Sequence, residues 1–308
     1  MKKFLAVFLG AVILLSGCSA QPATSQDSGT QAYTFTDALG HDISVSEPET
    51  IVSLLGSFSE AWALAGGTLA GVTQDAFDEN RIEPDGKIVN LGSLQSPSTE
   101  NILALDPDLV ILSANTSEQL ELYDMLSSAG IAAAYFDVET FDDYLEMMKI
   151  FTDITGREDL YQKNGLDIQA QIDGAIAKSS GQPSPKVLFI RAFSTGAKAK
   201  NSDSMTGAML KDLSCVNIAD TEKSLLEDLS MEVIIKEDPD YIFVTTMGQS
   251  SEKALEALKE SVQSNPAWNE LSAVKSGRYI VLPKELFHLK PNARWGESYE
   301  TLADILYG

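Results

Sequence analysis

Apolar runs of strand length alternate along the chain with stretches whose apolar residues recur at helical spacing. In the first half the runs are IVSLLG (51–56), KIVNLG (87–92), DLVILSAN (108–115) and AAAYFD (132–137). In the second they are KVLFIRAF (186–193), YIFVTTMG (241–248) and RYIVLP (278–283). Near-continuous apolar strands separated by amphipathic segments are the pattern of parallel sheets covered on both faces, so the chain predicts an α/β fold.

An internal echo sharpens this. Residues 98–108, STENILALDPD, and 230–240, SMEVIIKEDPD, both read S-x-E-x-I-x-x-x-D-P-D, and each runs into an apolar strand. A short helix should begin near the Ser, carry the Glu in its first turn and stop at the Pro-containing turn. Two lobes on one plan, 32–140 and 181–308, account for the repetition. The segment between them, 141–180, is expected to be helical. FDDYLEMMKIFTDIT (141–155) places Phe141, Tyr144, Leu145, Met148 and Phe151 on one face, with Gly156 as a stop. From Glu158 to Ser179, Leu160, Asn164, Ile168, Ile172 and Ile176 follow at spacing four, and SGQPSP (180–185) ends the run. At about 1.5 Å per residue this helix, 158–179, would be about 33 Å long and would join the lobes as a strut.

The N-terminus reads as export apparatus. Lys2 and Lys3 precede an apolar run from Phe4 to Leu15, which is too short to cross a bilayer. It ends in LSGC, which resembles a bacterial lipobox: residues 1–17 would be a signal peptide and Cys18 the lipidated first residue of the mature chain. The polar tract that follows Cys18 makes 18–31 a flexible tether.

Composition mainly excludes. The formal net charge is −23, and loss of Lys2 and Lys3 with the leader would make it two charges more negative, so nucleic acid is not an expected partner. Of the two cysteines, lipidation of Cys18 leaves Cys215 alone, which excludes a disulfide framework; its setting, LKDLSCVNIA, predicts a small buried thiol. The chain has neither a G-x-S-x-G elbow nor an H-E-x-x-H motif, and its only histidines are His41 and His288. A histidine-based hydrolytic or zinc centre therefore lacks material, Asp142 and Asp143 read as a solvated helix start, and the chain is not expected to be an enzyme.

Four segments in order carry a family resemblance over essentially the whole mature chain: ETIVSLLGSFSEAWALAGG, ENILALDPDLVI, NIAD with LSMEVIIKEDPDYIFV, and PAWNELSAVKSGRYIVL. They resemble the substrate-binding lipoproteins of ABC importers for ferric siderophores, haem or cobalamin. The resemblance implies two Rossmann-like lobes joined by one long rigid helix, a ligand cleft between them, and little closure. It also implies that Glu100 and Glu232 pair with arginines of a permease dimer worked by its ATPase. The chain would be a monomer anchored by lipid to the outer face of the cell membrane. No cofactor is implied; an iron complex would be the transported ligand. A ferric siderophore is the first expectation, haem or cobalamin the alternative, and an adhesin without cargo a further one.

Open α/β sheets bind ligands at the carboxyl ends of their strands. On the first lobe this selects Ser57, Phe58, Gln74, Gln95 and Asn115, a neutral wall. On the second it selects Arg191, Phe193, Lys200 and Met247, joined by His288, Lys290, Arg294 and Trp295 from the C-terminal stretch FHLKPNARW. Cations gathered there would focus positive potential in an acidic protein. Arg191 and Lys200 also read as a solvated loop face, and Trp295 as a core anchor. His288 reads as a structural hydrogen-bonding residue, a hydrogen-bond partner of the ligand, or a haem-iron ligand. A lone histidine lacks the partners of a bare metal site. His41 is expected at the surface.

Overall fold

Strand alternation explains the layering. The computed structural model describes residues 32–308 except Gln249, so the leader, Cys18 and the tether lie outside the described residues. In the first lobe five parallel strands run in the order Val89–Asn90, Gly71–Val72, Ile51–Ser53, Leu109–Ser113, Ala132–Phe136. In the second, Lys186–Phe193 pairs in parallel with Tyr241–Thr246, which pairs with Tyr279–Val281. The other edge of Lys186–Phe193 is shared by Val216–Asn217, in parallel, and Gly196–Ala199, antiparallel.

Alternate residues of these strands enter different cores. Leu109, Ile111, Val187, Phe189 and Phe243 join one central cluster with Phe141, Tyr144, Phe151, Ile168, Ile172 and Trp295. Val110 and Leu112 face an outer cluster of the first lobe, and Leu188, Ile190, Ile242 and Val244 one of the second. The central core is thus shared by both lobes and the helices between them, so opening the lobes would expose apolar surface at about 25 cal/mol per Å². A hairpin, Tyr33–Thr36 with Asp42–Val45, is fastened to the first sheet through Asp37. That buried carboxylate accepts the Tyr135 amide at 3.1 Å and the His41 amide at 2.8 Å. His41 lies 3.0 Å from it through Nδ1 and stacks on Tyr123, so it is partly covered rather than a free surface residue.

The echoed motif is one structure built twice. Helices Thr99–Ala104 and Met231–Glu237 start after Ser98 and Ser230, bury Ile102 and Ile234 completely, and end where Asp106 and Asp238 adopt positive φ (47° and 40°) before buried prolines. The last Asp of each motif then accepts amides at the foot of the neighbouring strand, Thr50 at 2.8 Å for Asp108 and Lys186 at 2.8 Å for Asp240.

The strut is continuous but not uniform. Helix Glu158–Tyr161 passes through a π-helical turn, Gln162–Leu166, into Asp167–Ala177. The wider turn accommodates a spacing of four, which a regular helix of 3.6 residues per turn would carry off its buried face. The turn also frees Asn164 to donate to the Leu64 carbonyl at 2.8 Å, while its own carbonyl accepts the Tyr144 hydroxyl at 3.0 Å. Helix Phe141–Thr155 buries Phe141, Tyr144, Met148 and Phe151 as read, with Met147 and Thr152 in addition, and Gly156 ends it at φ 67°. The terminal helix, Trp295–Tyr307, packs on the strut so closely that a Cβ at Gly296 would lie 2.1 Å from Gln171 Oε1. Cys215 is half-buried rather than enclosed, and burial pushes its thiol up to about 12.

Candidate functional site

Both sheets reverse strand order beside their central strands, and such switch points open a crevice at the strands' carboxyl ends. There lies a cavity of about 840 Å³ between the lobes. On the first-lobe side it is lined by Leu55 and Ser57 after strand Ile51–Ser53, by Asp75, Asp78 and Glu79, and by Leu94 and Gln95. On the second it is lined by Met247 and Gly248 after strand Tyr241–Thr246, and by Lys284, His288, Leu289 and Lys290.

The walls differ in charge, and the first is acidic where its loops read as neutral. Helix Gln74–Asp78 brings its carboxylates onto the cavity side at helical spacing. Asp75 Oδ2 accepts the Gly56 amide at 2.6 Å, fixing the start of helix Gly56–Leu64, while Oδ1 is shielded and has no partner among the described residues. Burial raises the Glu79 carboxyl above its usual range, with Arg81 opposing; Lys284 lies near enough to oppose it as well. Gln74 donates to Asp78 at 2.7 Å, so it holds a wall residue without lining the cavity.

The second wall is basic. Lys290 reaches across to Glu139 of the first lobe at 3.3 Å, with its side chain 19% exposed. His288 closes the short helix Lys284–Phe287. Burial, with the charges of Arg191, Lys284 and Lys290 around it, pushes its imidazole down to about 4, so it is neutral near pH 7. Its Nδ1 is shielded and makes no hydrogen bond among the described residues. Behind it, Arg191 is a strand residue in register with Lys198 of the antiparallel edge strand, not a loop residue. Burial lowers its guanidinium's pKa against the pull of Glu139, and Nε is shielded without a partner among the described residues. Lys200, just beyond the hairpin, is lowered by burial and by Arg191. Phe193 ends the strand, partly buried against the Gly196 turn.

The loop carrying His288 and Lys290 is pinned to the first lobe. Asn292, 1% exposed and at φ 49°, donates through Nδ2 to the Ser57 carbonyl and to Glu60 Oε2, each at 2.7 Å. Glu60 is also paired with Arg81.

Eight expected contacts do not line the cavity: Gln74, Arg191, Phe193 and Lys200, placed above, and four more. Phe58 is 1% exposed and packs edge-on against Phe136, and Trp295 is fully buried on Phe141 and Tyr144: both rings belong to the central core. Arg294, exposed just before the terminal helix, makes a two-pronged pair with the exposed Glu297 at 2.6 and 2.8 Å and does not line the cavity. Asn115 donates to Asp137 at 2.6 Å and does not line the cavity. Ser57, Gln95, Met247, His288 and Lys290 do come together in it. Asp75, Asp78, Glu79 and Lys284 were not anticipated; the spacing of carboxylates in TQDAFDE was the available signal.

Two doubly wound lobes on one stiff helix, with a cavity where both switch points meet, define a solute-binding shell. Residues 51–286 match the family described as periplasmic binding protein, and the chain belongs to that family. It is a substrate-binding protein of the ABC-importer class, not an enzyme. The petrobactin-binding protein YclQ of Bacillus subtilis is 27% identical, with 94% of this chain and 93% of that protein covered. Among solved structures, the iron uptake ABC transporter substrate-binding protein PiuA from Streptococcus pneumoniae superposes with TM-score 0.69 at 20% identity, over 91% of this chain and 99% of its own. IsdE of Staphylococcus aureus, solved with haem, gives 0.68 at 15% identity, over 84% and 99%. These likenesses show the fold.

Proposed function

We propose that this chain captures a ferric siderophore in the cavity between its lobes and hands it to a cognate ABC permease. The observation that carries the reading is the cavity itself, with Lys284 and Lys290 on one wall and Asp75, Asp78 and Glu79 on the other. Lysines suit the anionic oxygens of a ferric chelate. The facing carboxylates suit a chelate that also bears amines or other donors, and they would repel a cargo that is anionic throughout. The name of YclQ, which joins a siderophore to a relative of this chain, supports the same class of cargo. Among the described residues no group of three or more His, Cys, Asp or Glu side chains is arranged to hold a metal ion, so iron would arrive already chelated.

Delivery rests on Glu100 and Glu232, both exposed and without a salt bridge among the described residues. Each would meet an arginine of the permease dimer. Retention rests on LSGC: cleavage before Cys18 and its lipidation would hold the chain at the outer face of the cell membrane through the 18–31 tether. The test of cargo is calorimetric titration with ferric siderophores with and without an amine. Asp75→Asn with Asp78→Asn should weaken the amine-bearing chelate and spare ferric citrate; equal loss for both would refute the two-signed wall.

Haem is the second reading, favoured by one feature: His288 offers a neutral imidazole at the cavity wall. A Soret band that disappears in His288→Ala would install haem as the cargo.

A further inference from the structure

The echoed helices share more than their glutamates. Within S-x-E-x-I-x-x-x-D-P-D the recurring Ile, Asp, Pro and Asp each have a folding role, as core residue, left-handed stop, buried proline or strand clamp, and the Ser stands at the helix start, capping it through its side chain in the first lobe. Exposed positions carry no such constraint and can differ between the lobes, as where Ala104 stands against Lys236. Yet one exposed position is aliphatic in both. Leu103 is 41% exposed and Ile235 is 44% exposed, three residues after Glu100 and Glu232 respectively. Side chains three apart are neighbours on a helix surface. Each lobe therefore presents the same pair, a carboxylate beside a bare aliphatic side chain, in the same place on its scaffold.

We infer that Leu103 and Ile235 are the apolar halves of two equivalent docking contacts, and that their partner is the importer's membrane permease, presenting an apolar recess beside a basic group once to each lobe. The inference rests on the docking reading of Glu100 and Glu232 and deepens it. Repetition of the pair selects the partner: one surface used twice fits an acceptor with two equivalent halves, and the acidic sign requires a basic one. A lone exposed leucine is unremarkable on a protein surface, but the same register in both lobes is not explained by folding. The division of labour follows from the chemistry. The carboxylates attract and orient the chain at range, whereas the aliphatic groups act only on contact, so they should govern the lifetime of the complex.

The test uses the full chain in its native cells, with a photo-crosslinking amino acid at position 103, at 235, or at Val216 or Val281, two exposed aliphatic positions outside the motif (50% and 44%). Positions 103 and 235 should label one permease polypeptide at least tenfold more than the two controls, and Glu100→Lys with Glu232→Lys should abolish the label. Equal labelling from all four positions, or from one lobe alone, overturns the inference. As a second measurement, Leu103→Ser with Ile235→Ser should shorten the permease complex's lifetime at least tenfold and leave the affinity for ferric citrate or a ferric catecholate within twofold of the parent. An unchanged lifetime overturns it as well. A chain that binds neither chelate but labels the permease from both positions would remove the cargo reading and keep this one; a chain that binds chelate without labelling does the reverse.

Discussion

Asn292 is the residue on which the geometry of the cavity most visibly depends, and its replacement has a calculable cost. Its amide ties the second-lobe loop bearing His288 and Lys290 to the Ser57 carbonyl and to Glu60 of the first lobe. In Asn292→Ala the buried Ser57 carbonyl and the partly exposed Glu60 carboxylate lose their donor, at about 1–3 kcal/mol for a buried group left unsatisfied. Glu60 keeps Arg81, so its share falls at the low end. Alanine must also hold a φ of 49°, at about 1–2 kcal/mol relative to a residue at ease there. The total is about 3–5 kcal/mol. Asn292→Gly loses the same hydrogen bonds without the backbone strain and should recover about 1 kcal/mol of it. Urea unfolding of the chain from residue 32 onward, at pH 7, gives both values. A loss under about 1 kcal/mol in Asn292→Ala would refute the pinning; equal losses in the two variants would refute the backbone part.

His288 predicts a pH dependence. Its folded pKa, about 4, lies below the ordinary 6.5, so the unfolded chain takes up a proton first as pH falls. The stability associated with the neutral ring is fully present above pH 6.5 and is lost between about 6.5 and 4, up to roughly 3 kcal/mol. His288→Gln should flatten that window in urea midpoints taken from pH 7.5 to 4; an unchanged slope would contradict it. Lys284→Gln with Lys290→Gln should weaken the cargo about tenfold or more, as loss of charge-assisted hydrogen bonds does, and should shift thermal unfolding of the empty protein little. Gly296→Ala should destabilise by about 1–3 kcal/mol, because the added Cβ meets Gln171 on the strut; a neutral result would mean that the side chain yields freely.

The fold was legible because its signals are periodic. Runs of apolar residues marked the main strands, and the echoed motif marked the second lobe, since Ile102 and Ile234, Asp106 and Asp238, do the same work. Strand Gly71–Val72 was not legible: two residues paired on both sides leave no pattern of their own. Nor was the hairpin that pairs Arg191 with Lys198, because its edge strand, Gly196–Ala199, reads as a polar turn. Residue type placed the site only in part. Phe58 and Trp295 occupy the right segments but point into the core, and an aromatic ring is equally at home in either setting. The acidic wall was hidden for the opposite reason: Asp75, Asp78 and Glu79 look like any solvated helix surface until the second lobe is set across from them. Arg294 illustrates a further limit, since Glu297 one turn later satisfies it locally.

The central claim is that the two-signed cavity holds a ferric siderophore, and calorimetric titration against a panel of ferric siderophores, ferric citrate and haem tests it most directly. The account predicts saturable one-to-one binding of a ferric siderophore, strongest for one that carries an amine, and weakened by Lys284→Gln with Lys290→Gln. Tight binding of haem with a Soret band that depends on His288, and no heat from any siderophore, would contradict it.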